Sequence, residues 1–310
     1  MNTDTIKLGD VEVTRVVELS GPFSTVGFIF PDTPPELWQD NRDWLAPDHW
    51  TPEDDAYRCQ VQTWVLRSEG KVVLVDTGVG NDRVRPQVPQ FGGLHTDFLD
   101  RLRQAGVRPE DVDVVVNTHI HYDHVGWNTR LEGDEWIPTF PNATYLMPRL
   151  DHDYFDPAGD GPGRAPRDEH EQMRWEGGKL VFNDSVLPVT RAGQAKLWEG
   201  SYRIDGNLAL EQAPGHTPGS SVLVLRSGTD RALFVGDVMH SPVQILRPDH
   251  RSCFCDDPAQ AARTRRELLE RAADDRALII PAHFGGSGAA EVRRDGGNFT
   301  VSGWAGVSRD

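Results

Sequence analysis

Four side chains that can bind a metal ion lie close together in the segment HIHYDH, residues 119–124. The segment follows the apolar run Val112–Val116, which is typical of a buried strand. If the chain stays extended beyond that strand, His119 and His121 point to the same side. Such a concentration of imidazole and carboxylate groups indicates a cation site at the end of a strand.

Further metal-binding residue types follow other predicted strands or lie in a glycine-proline turn: Asp76, His216, Asp237 and His283. Each half of the chain has an apolar strand ending in Asp, then an amphipathic helix, then an apolar strand ending in His. This order is typical of a βαβ unit that occurs twice. Because the carboxyl ends of parallel strands meet at one edge of a sheet, we expect these side chains to converge.

These residues resemble the five motifs of the metallo-β-lactamase superfamily, which occur in order over residues 72–283, beginning with Asp76-Thr77-Gly78. The resemblance implies an α/β fold, an αββα four-layer sandwich, formed by a single domain over residues 1–310. It also implies that Asp237 bridges two ions and that Asp76 orients the histidines. The ligands implied for the first ion are His119, His121 and His216, and those for the second are Asp123, His124 and His283.

Imidazole and carboxylate ligands suit zinc, and ligand type alone leaves manganese, iron and cobalt open. In this family, two ions share a water and lower its pKa, and the resulting hydroxide attacks an ester, lactone, amide or phosphoester. Asp123 is then expected to carry a proton to the leaving group. We therefore expect a binuclear hydrolase with two divalent ions, most simply zinc, and with Asp123 and Asp237 as catalytic residues.

The fold by itself does not select a substrate. The stretch 236–244 resembles the branch of N-acyl homoserine lactonases and methyl parathion hydrolase. An irregular N-terminal arm over residues 20–58 and a polar loop insertion over 151–178 are also typical of that branch. The resemblance implies a quorum-quenching lactonase or a related ester or phosphotriester hydrolase. A β-lactamase, a thioesterase, a non-catalytic metal-binding module and a mononuclear iron oxygenase stay open as alternatives.

In that branch, the arm and the extra loops form the wall of an apolar pocket. The candidates here are Phe23, Phe28, Phe30, Trp38, Met147, Phe155 and His240. The tyrosine that assists acyl-homoserine lactonases has no clear counterpart in this sequence. Tyr122 and Tyr154 are the two nominees for that role.

The charge of the chain limits its partners. Its 310 residues include 32 Lys and Arg against 48 Asp and Glu, a formal net charge of −16. This balance argues against nucleic acid and anionic membranes as partners, and no run approaches the roughly 18 apolar residues of a membrane span. With no secretory leader visible at the N-terminus, we expect a cytoplasmic protein that acts on a small molecule. A homodimer is left open.

Overall fold

The computed structural model describes residues 4–159, 161 and 164–305. The strands are β1 (Asp4–Leu8), β2 (Val11–Thr25), β3 (Trp50–Thr51), β4 (Ala56–Ser68), β5 (Lys71–Val75), β6 (Val114–Val116), β7 (Thr129–Glu132), β8 (Glu135–Pro138), β9 (Thr144–Pro148), β10 (Ala195–Trp198), β11 (Ser201–Arg203), β12 (Leu208–Gln212), β13 (Ser221–Ser227), β14 (Asp230–Gly236), β15 (Leu278–Pro281), β16 (Ala290–Asp295) and β17 (Asn298–Trp304).

The α-helices are α1 (Val26–Ile29), α2 (Pro35–Asp40), α3 (Arg42–Leu45), α4 (Phe98–Gln104), α5 (Arg149–Phe155), α6 (Glu169–Val181), α7 (Leu187–Arg191), α8 (Val243–Leu246) and α9 (Pro258–Asp275). Short 3-10 turns cover Pro89–Phe91, Pro109–Asp111 and Gly126–Asn128, and a π-helical turn covers Phe182–Val186. Within the described ranges, no helix has the length and apolar character that crossing a membrane requires.

The strands form two large sheets and one small hairpin. The first sheet has the order β1-β2-β4-β5-β6-β9-β10, with β3 paired to β4, and the second runs from β11 to β17 in sequence order. Strands β7 and β8 pair only with each other among the described residues. Strands β5, β6, β9 and β10 are parallel neighbours in the first sheet, and β14 and β15 are parallel in the second.

Both faces of each sheet are covered. In β5, Val72 and Leu74 pack on the side of α4, whereas Val73 and Val75 pack between the two sheets. Strand β14 divides its side chains in the same way between the other sheet and the layer that contains α9. Since successive strand residues point to opposite faces, this division produces the predicted αββα four-layer sandwich.

Each sheet contains one of the two predicted βαβ units. Strand β5 leads through α4 to the parallel strand β6, and β14 leads through α9 to the parallel strand β15. Helix α9 begins at Pro258, which fits the first turn, and the Asp257 side chain before it accepts a hydrogen bond from Gln260 N. The predicted ligand residues other than His216 follow the carboxyl ends of strands in these two pairs.

The prediction of an irregular arm over residues 20–58 is only partly right. Strand β2 continues to Thr25 and pairs with β4 from residue 56 onward, and three short helices and β3 fill the interval. Register shifts occur in β2 between Val17 and Leu19 and between Pro22 and Ser24. Each shift interrupts the alternation of apolar and polar residues, so the periodic signal ends well before the strand does.

The predicted polar loop over residues 151–178 is wrong for most of its length, because α5 and α6 occupy both of its ends. The Asp168 side chain caps α6 by accepting a hydrogen bond from Glu171 N at 2.8 Å. Glu171 also forms ion pairs with Arg164 and Arg167. The charged composition that suggested a solvated loop instead stabilises the start of a helix, while residues 160, 162 and 163 lie outside the described residues.

Candidate active site

The predicted ligand residues lie in four turns at one edge of the two sheets. Residues 119–124 follow β6, His216 lies between β12 and β13, Asp237 follows β14 and His283 follows β15. The two sheets approach closely at this edge. A Cβ atom on Gly236, which has a φ of +49°, would lie 2.7 Å from the Thr118 hydroxyl oxygen, so only glycine fits there.

Three histidines direct ring nitrogens to one point. His119 Nε2 and His216 Nε2 each lie 3.0 Å from His121 Nδ1. His119 and His216 are buried, and His121 is partly buried. Three imidazole nitrogens that converge in this way form the ligand set that a tetrahedral zinc site uses.

A second group lies beside the first and contains one carboxylate and two histidines. Asp123 Oδ1 lies 3.7 Å from His124 Nε2, and Asp123 Oδ2 lies 3.5 Å from His283 Nε2. The ligand atoms of these three residues all lie within 4.8 Å of one another. Together with Asp237, the two groups form what we call the ligand cluster: His119, His121, Asp123, His124, His216, Asp237 and His283.

The carboxylate of Asp237 lies between the two groups. Its Oδ2 is 3.4 Å from His216 Nε2 and 3.9 Å from His119 Nε2. Its Oδ1 is 3.3 Å from His124 Nε2 and 2.9 Å from His283 Nε2. One oxygen therefore faces each group, which is the arrangement of a carboxylate that bridges two ions.

Hydrogen bonds on the far side of the rings fix their orientation. His124 Nδ1 lies 2.9 Å from Asp76 Oδ2, and the same carboxylate accepts a hydrogen bond from Thr118 N at 2.8 Å. His283 Nδ1 lies 2.7 Å from the carbonyl oxygen of Gln60. Such partners hold the remaining ring nitrogen available as a ligand, and the position of Asp76 fits its predicted role.

The electrostatics of the cluster divide its histidines into two kinds. Burial lowers the pKa of His119 and of His216 well below the usual value, because an imidazolium loses its hydration there. Burial acts in the same direction at His124 and His283, but the combined negative charge around them, that of Asp237 foremost, outweighs it and raises both pKa values. The cluster therefore favours positive charge on the side of Asp237 that faces His124 and His283.

The cluster fits two divalent ions. His124 Nε2 and Asp237 Oδ1 are buried and lie 3.3 Å apart, yet neither forms a hydrogen bond of acceptable geometry among the described residues. Buried polar atoms without partners are costly, and a cation bound between them removes that cost. The donor set consists of imidazole nitrogens and carboxylate oxygens, which zinc, manganese, iron and cobalt all accept.

A family model described as the metallo-beta-lactamase superfamily matches residues 56–283, which contain the whole ligand cluster. The chain belongs to the metallo-β-lactamase superfamily. The expectation drawn from the five motifs is thereby confirmed for the family and its fold.

Curated relatives within this superfamily include N-acyl homoserine lactonases. One, AttM of Rhizobium radiobacter, is 29% identical over 193 residues, 58% of this chain and 64% of that protein. Another, from a Bacillus species, is 23% identical over 179 residues, 54% of this chain and 58% of that protein. The alignments thus span less than two thirds of the relatives' own length.

Two solved structures share the superfamily fold over nearly the whole chain. AidC, described as a dizinc quorum-quenching lactonase, has a TM-score of 0.79 at 20% identity and covers 98% of both chains. AbOPH, described as a hydrolase, has a TM-score of 0.78 at 21% identity and covers 96% of this chain and 95% of its own. At these identities the likeness establishes the fold.

In this member of the superfamily, five of the seven residues of the ligand cluster line a cavity that is open to solvent. Five aromatic residues form what we call the apolar wall: Phe23, Phe91, Phe155, Trp175 and Phe254. Gln87, Arg174 and Asp256 add polar groups to the lining. A cavity with this largely apolar lining suits a small, largely apolar molecule.

Three of the predicted wall residues, His240, Phe28 and Met147, and the nominated Tyr154, which was also expected near the pocket, have different outcomes. His240 lines the cavity, and its Nε2 lies 3.2 Å from Asp237 Oδ2. The structure places the other three elsewhere. Phe28 is 50% exposed, Met147 packs in the core beneath the first sheet, and Tyr154 lies behind Phe155, with ring centroids 4.9 Å apart.

The remaining aromatic candidates also divide. Phe23 and Phe155 line the cavity, whereas Phe30 and Trp38 are buried in the core of the N-terminal arm. Of the two nominated tyrosines, Tyr122 lines the cavity and packs against Phe91 at 5.7 Å. Residue type and approximate position in the sequence therefore did not distinguish residues of the cavity wall from residues of the core.

Sequence reasoning missed the contribution of α6 to the cavity. Arg174, Gly178 and Val181 line it from one face of the helix. Their spacing of four and then three residues is the period of a helix, and it could have predicted this face. The surrounding charged residues concealed the signal.

Proposed function

We propose that this protein is a binuclear metal-dependent hydrolase that opens lactones of the N-acyl homoserine type. One observation carries the proposal. The carboxylate of Asp237 directs one oxygen to each of two ligand groups, at the base of an apolar cavity. This arrangement combines a site for two ions with space for an acyl chain.

The ligand cluster would hold the ions in two sets that share Asp237. His119, His121 and His216 would bind the first, and Asp123, His124 and His283 would bind the second. When bound, two divalent ions supply positive charge that acidifies water and polarises a carbonyl group. Zinc is the simplest choice for this donor set.

We infer that Asp123 is the residue that moves a proton. It lines the cavity, and its two oxygens face His124 and His283. In lactone hydrolysis, water adds to the carbonyl carbon and the ring C–O bond breaks. We assign to the Asp123 carboxylate the transfer of a water proton to the oxygen that leaves.

The cavity supports a neutral substrate with an apolar tail. Its wall is largely aromatic, and Arg174 and Asp256 have opposite charges and lie together in the lining. The formal net charge of −16 argues against a polyanion as substrate. A small molecule with an ester or lactone group and an acyl chain matches these properties, as do the substrates that the names of the curated relatives imply.

The test compares substrates on protein of known metal content. Purified protein is stripped with a chelator, reloaded with zinc, manganese or cobalt, and assayed with an N-acyl homoserine lactone, a phosphotriester and the β-lactam nitrocefin. We expect about two ions per chain and preferential opening of the lactone. Turnover of nitrocefin alone would overturn the substrate assignment. Binding of less than one ion per chain, with no activity, would overturn the proposal that the protein is a metal-dependent hydrolase.

A further inference from the structure

A buried carboxylate outside the ligand cluster joins the two loops that carry its three converging histidines. Asp151 lies in α5, directly after β9, and its exposed fraction is 0%. Strand β9 is the parallel neighbour of β6, so Asp151 lies at the same sheet edge as residues 119–124. Neither the motifs nor the family match assigns it a role.

Each of its hydrogen bonds reaches one of those two loops. Asp151 Oδ2 accepts from Ile120 N at 3.0 Å, and Ile120 separates His119 from His121. The same oxygen accepts from the Thr217 hydroxyl at 2.8 Å, and Oδ1 accepts from Gly219 N at 2.5 Å. One carboxylate is thus bonded to the loop of the first sheet and to the loop of the second.

The fit between Asp151 and the second loop is close. A Cβ atom on Gly219 would lie 2.5 Å from Asp151 N and 2.6 Å from Asp151 Oδ1, so the backbone must approach without a side chain. His216 lies three residues before this contact. The positions of His121 and His216, whose nitrogens meet at 3.0 Å, therefore depend on the same carboxylate.

We propose that Asp151 is a positioning residue that sets the geometry of the three-histidine ion site by fixing both loops. The inference rests on the proposed function, because it concerns the ions that function requires. All three partners are donors, which a carboxylate satisfies and an amide does not. In Asp151→Asn, the NH₂ group must face at least one donor, and the loops must move apart to avoid it.

The experiment measures ion affinity. Wild-type protein and Asp151→Asn are titrated with zinc against a chromophoric chelator, and cobalt-loaded samples are compared by visible absorption. We expect one of the two ions to bind about 10- to 100-fold more weakly in the variant, with the other little changed. The cobalt spectrum should change accordingly, which a loss of folding stability alone would not produce.

Asp205→Asn is the matched control. Asp205 is also buried and also accepts hydrogen bonds from two backbone N–H groups, those of Asn207 and Leu208, in a turn at the other end of β12. We expect this variant to unfold at a lower temperature and to bind both ions as wild type does.

Thr217→Val is a milder variant that keeps the inference testable if Asp151→Asn does not fold. It removes the hydroxyl that donates to Asp151, together with the contact of that hydroxyl with Ser220 Oγ, and should weaken binding of the same ion about 2- to 10-fold. If Asp151→Asn binds both ions with wild-type affinity, this inference is overturned while the proposed function stands. Wild-type protein that binds less than one ion per chain would overturn it together with the proposed function.

Discussion

The ligand cluster takes its side chains from four turns at the ends of strands, whereas the apolar wall comes from five segments with little in common. Phe23 lies in β2, Phe91 in a 3-10 turn and Trp175 in α6. The cluster is held by hydrogen bonds and ion pairs with fixed geometry. The wall is held by ring packing, such as that between Phe23 and Phe91 with centroids 5.6 Å apart.

This difference between the ligand cluster and the apolar wall reflects two tasks, catalysis and contact with the substrate. Chemistry at the cluster needs particular atoms within a few tenths of an ångström, so its residue types cannot vary. Contact with an acyl chain needs only apolar area, which many side chains supply. Substitutions in the cluster should therefore affect the reaction as a whole, and substitutions in the wall should affect the choice of substrate.

The largest effect is expected for Asp237→Ala. Loss of the shared carboxylate removes a ligand from both ion groups, so lactone hydrolysis should fall by more than the roughly 100-fold seen when outer partners are lost. Metal analysis should show fewer than two ions per chain. Unchanged hydrolysis in this variant would mean that the measured hydrolysis does not take place at the ligand cluster. That result would favour a non-catalytic metal-binding module.

A smaller and selective effect is expected for Phe91→Ala in the wall. The truncation removes apolar contact area, so KM for a long-chain acyl lactone should rise about 10-fold while kcat changes little. A short-chain lactone serves as the control and should be affected less. An equal loss with both substrates would mean that the wall contributes to chemistry, and the distinction between the two regions would fail.

The two regions also differ in how far sequence could predict them. HIHYDH, Asp237 and His283 directly follow apolar strands, so sequence position alone placed them at one sheet edge. The wall depends on where distant segments pack, and no local signal told Phe155, which lines the cavity, from Met147, which does not. The four-layer fold followed from the motifs, but the length of β2 did not, because its bulges hide the alternation.

A buried histidine outside the ligand cluster should make the stability of the protein depend on pH. His49 is 3% exposed and stacks on Trp304 at 5.3 Å, and burial lowers its pKa from 6.5 to about 4. Between pH 4 and pH 6.5 the unfolded chain binds a proton at His49 more readily than the folded chain does. The free energy of unfolding is therefore unaffected by protonation of His49 above about pH 6.5 and decreases as the pH falls towards 4.

Urea unfolding of metal-free protein at pH 7 and pH 4.5 measures this effect. The midpoint of wild-type protein should fall more between the two pH values than the midpoint of His49→Gln. Equal shifts would contradict a neutral His49 in the folded state.

The smallest effect is expected for Phe28→Ala. Phe28 is 50% exposed and does not line the cavity, although its residue type and position in the arm suggested that it would. KM and kcat should stay within about 2-fold of wild type, and stability should change by no more than about 0.5 kcal/mol. A rise in KM like that of Phe91→Ala would extend the wall beyond the cavity described above.

The division of the ligand cluster between two sheets has a consequence for biosynthesis. The first ion group is complete only when Asp237 has been synthesised, long after His119, and the second only when His283 has been synthesised. Bound ions stabilise the finished fold and not its precursors. The supply of metal in the cell should therefore influence how many newly made chains fold and escape degradation, in addition to the activity of the folded protein.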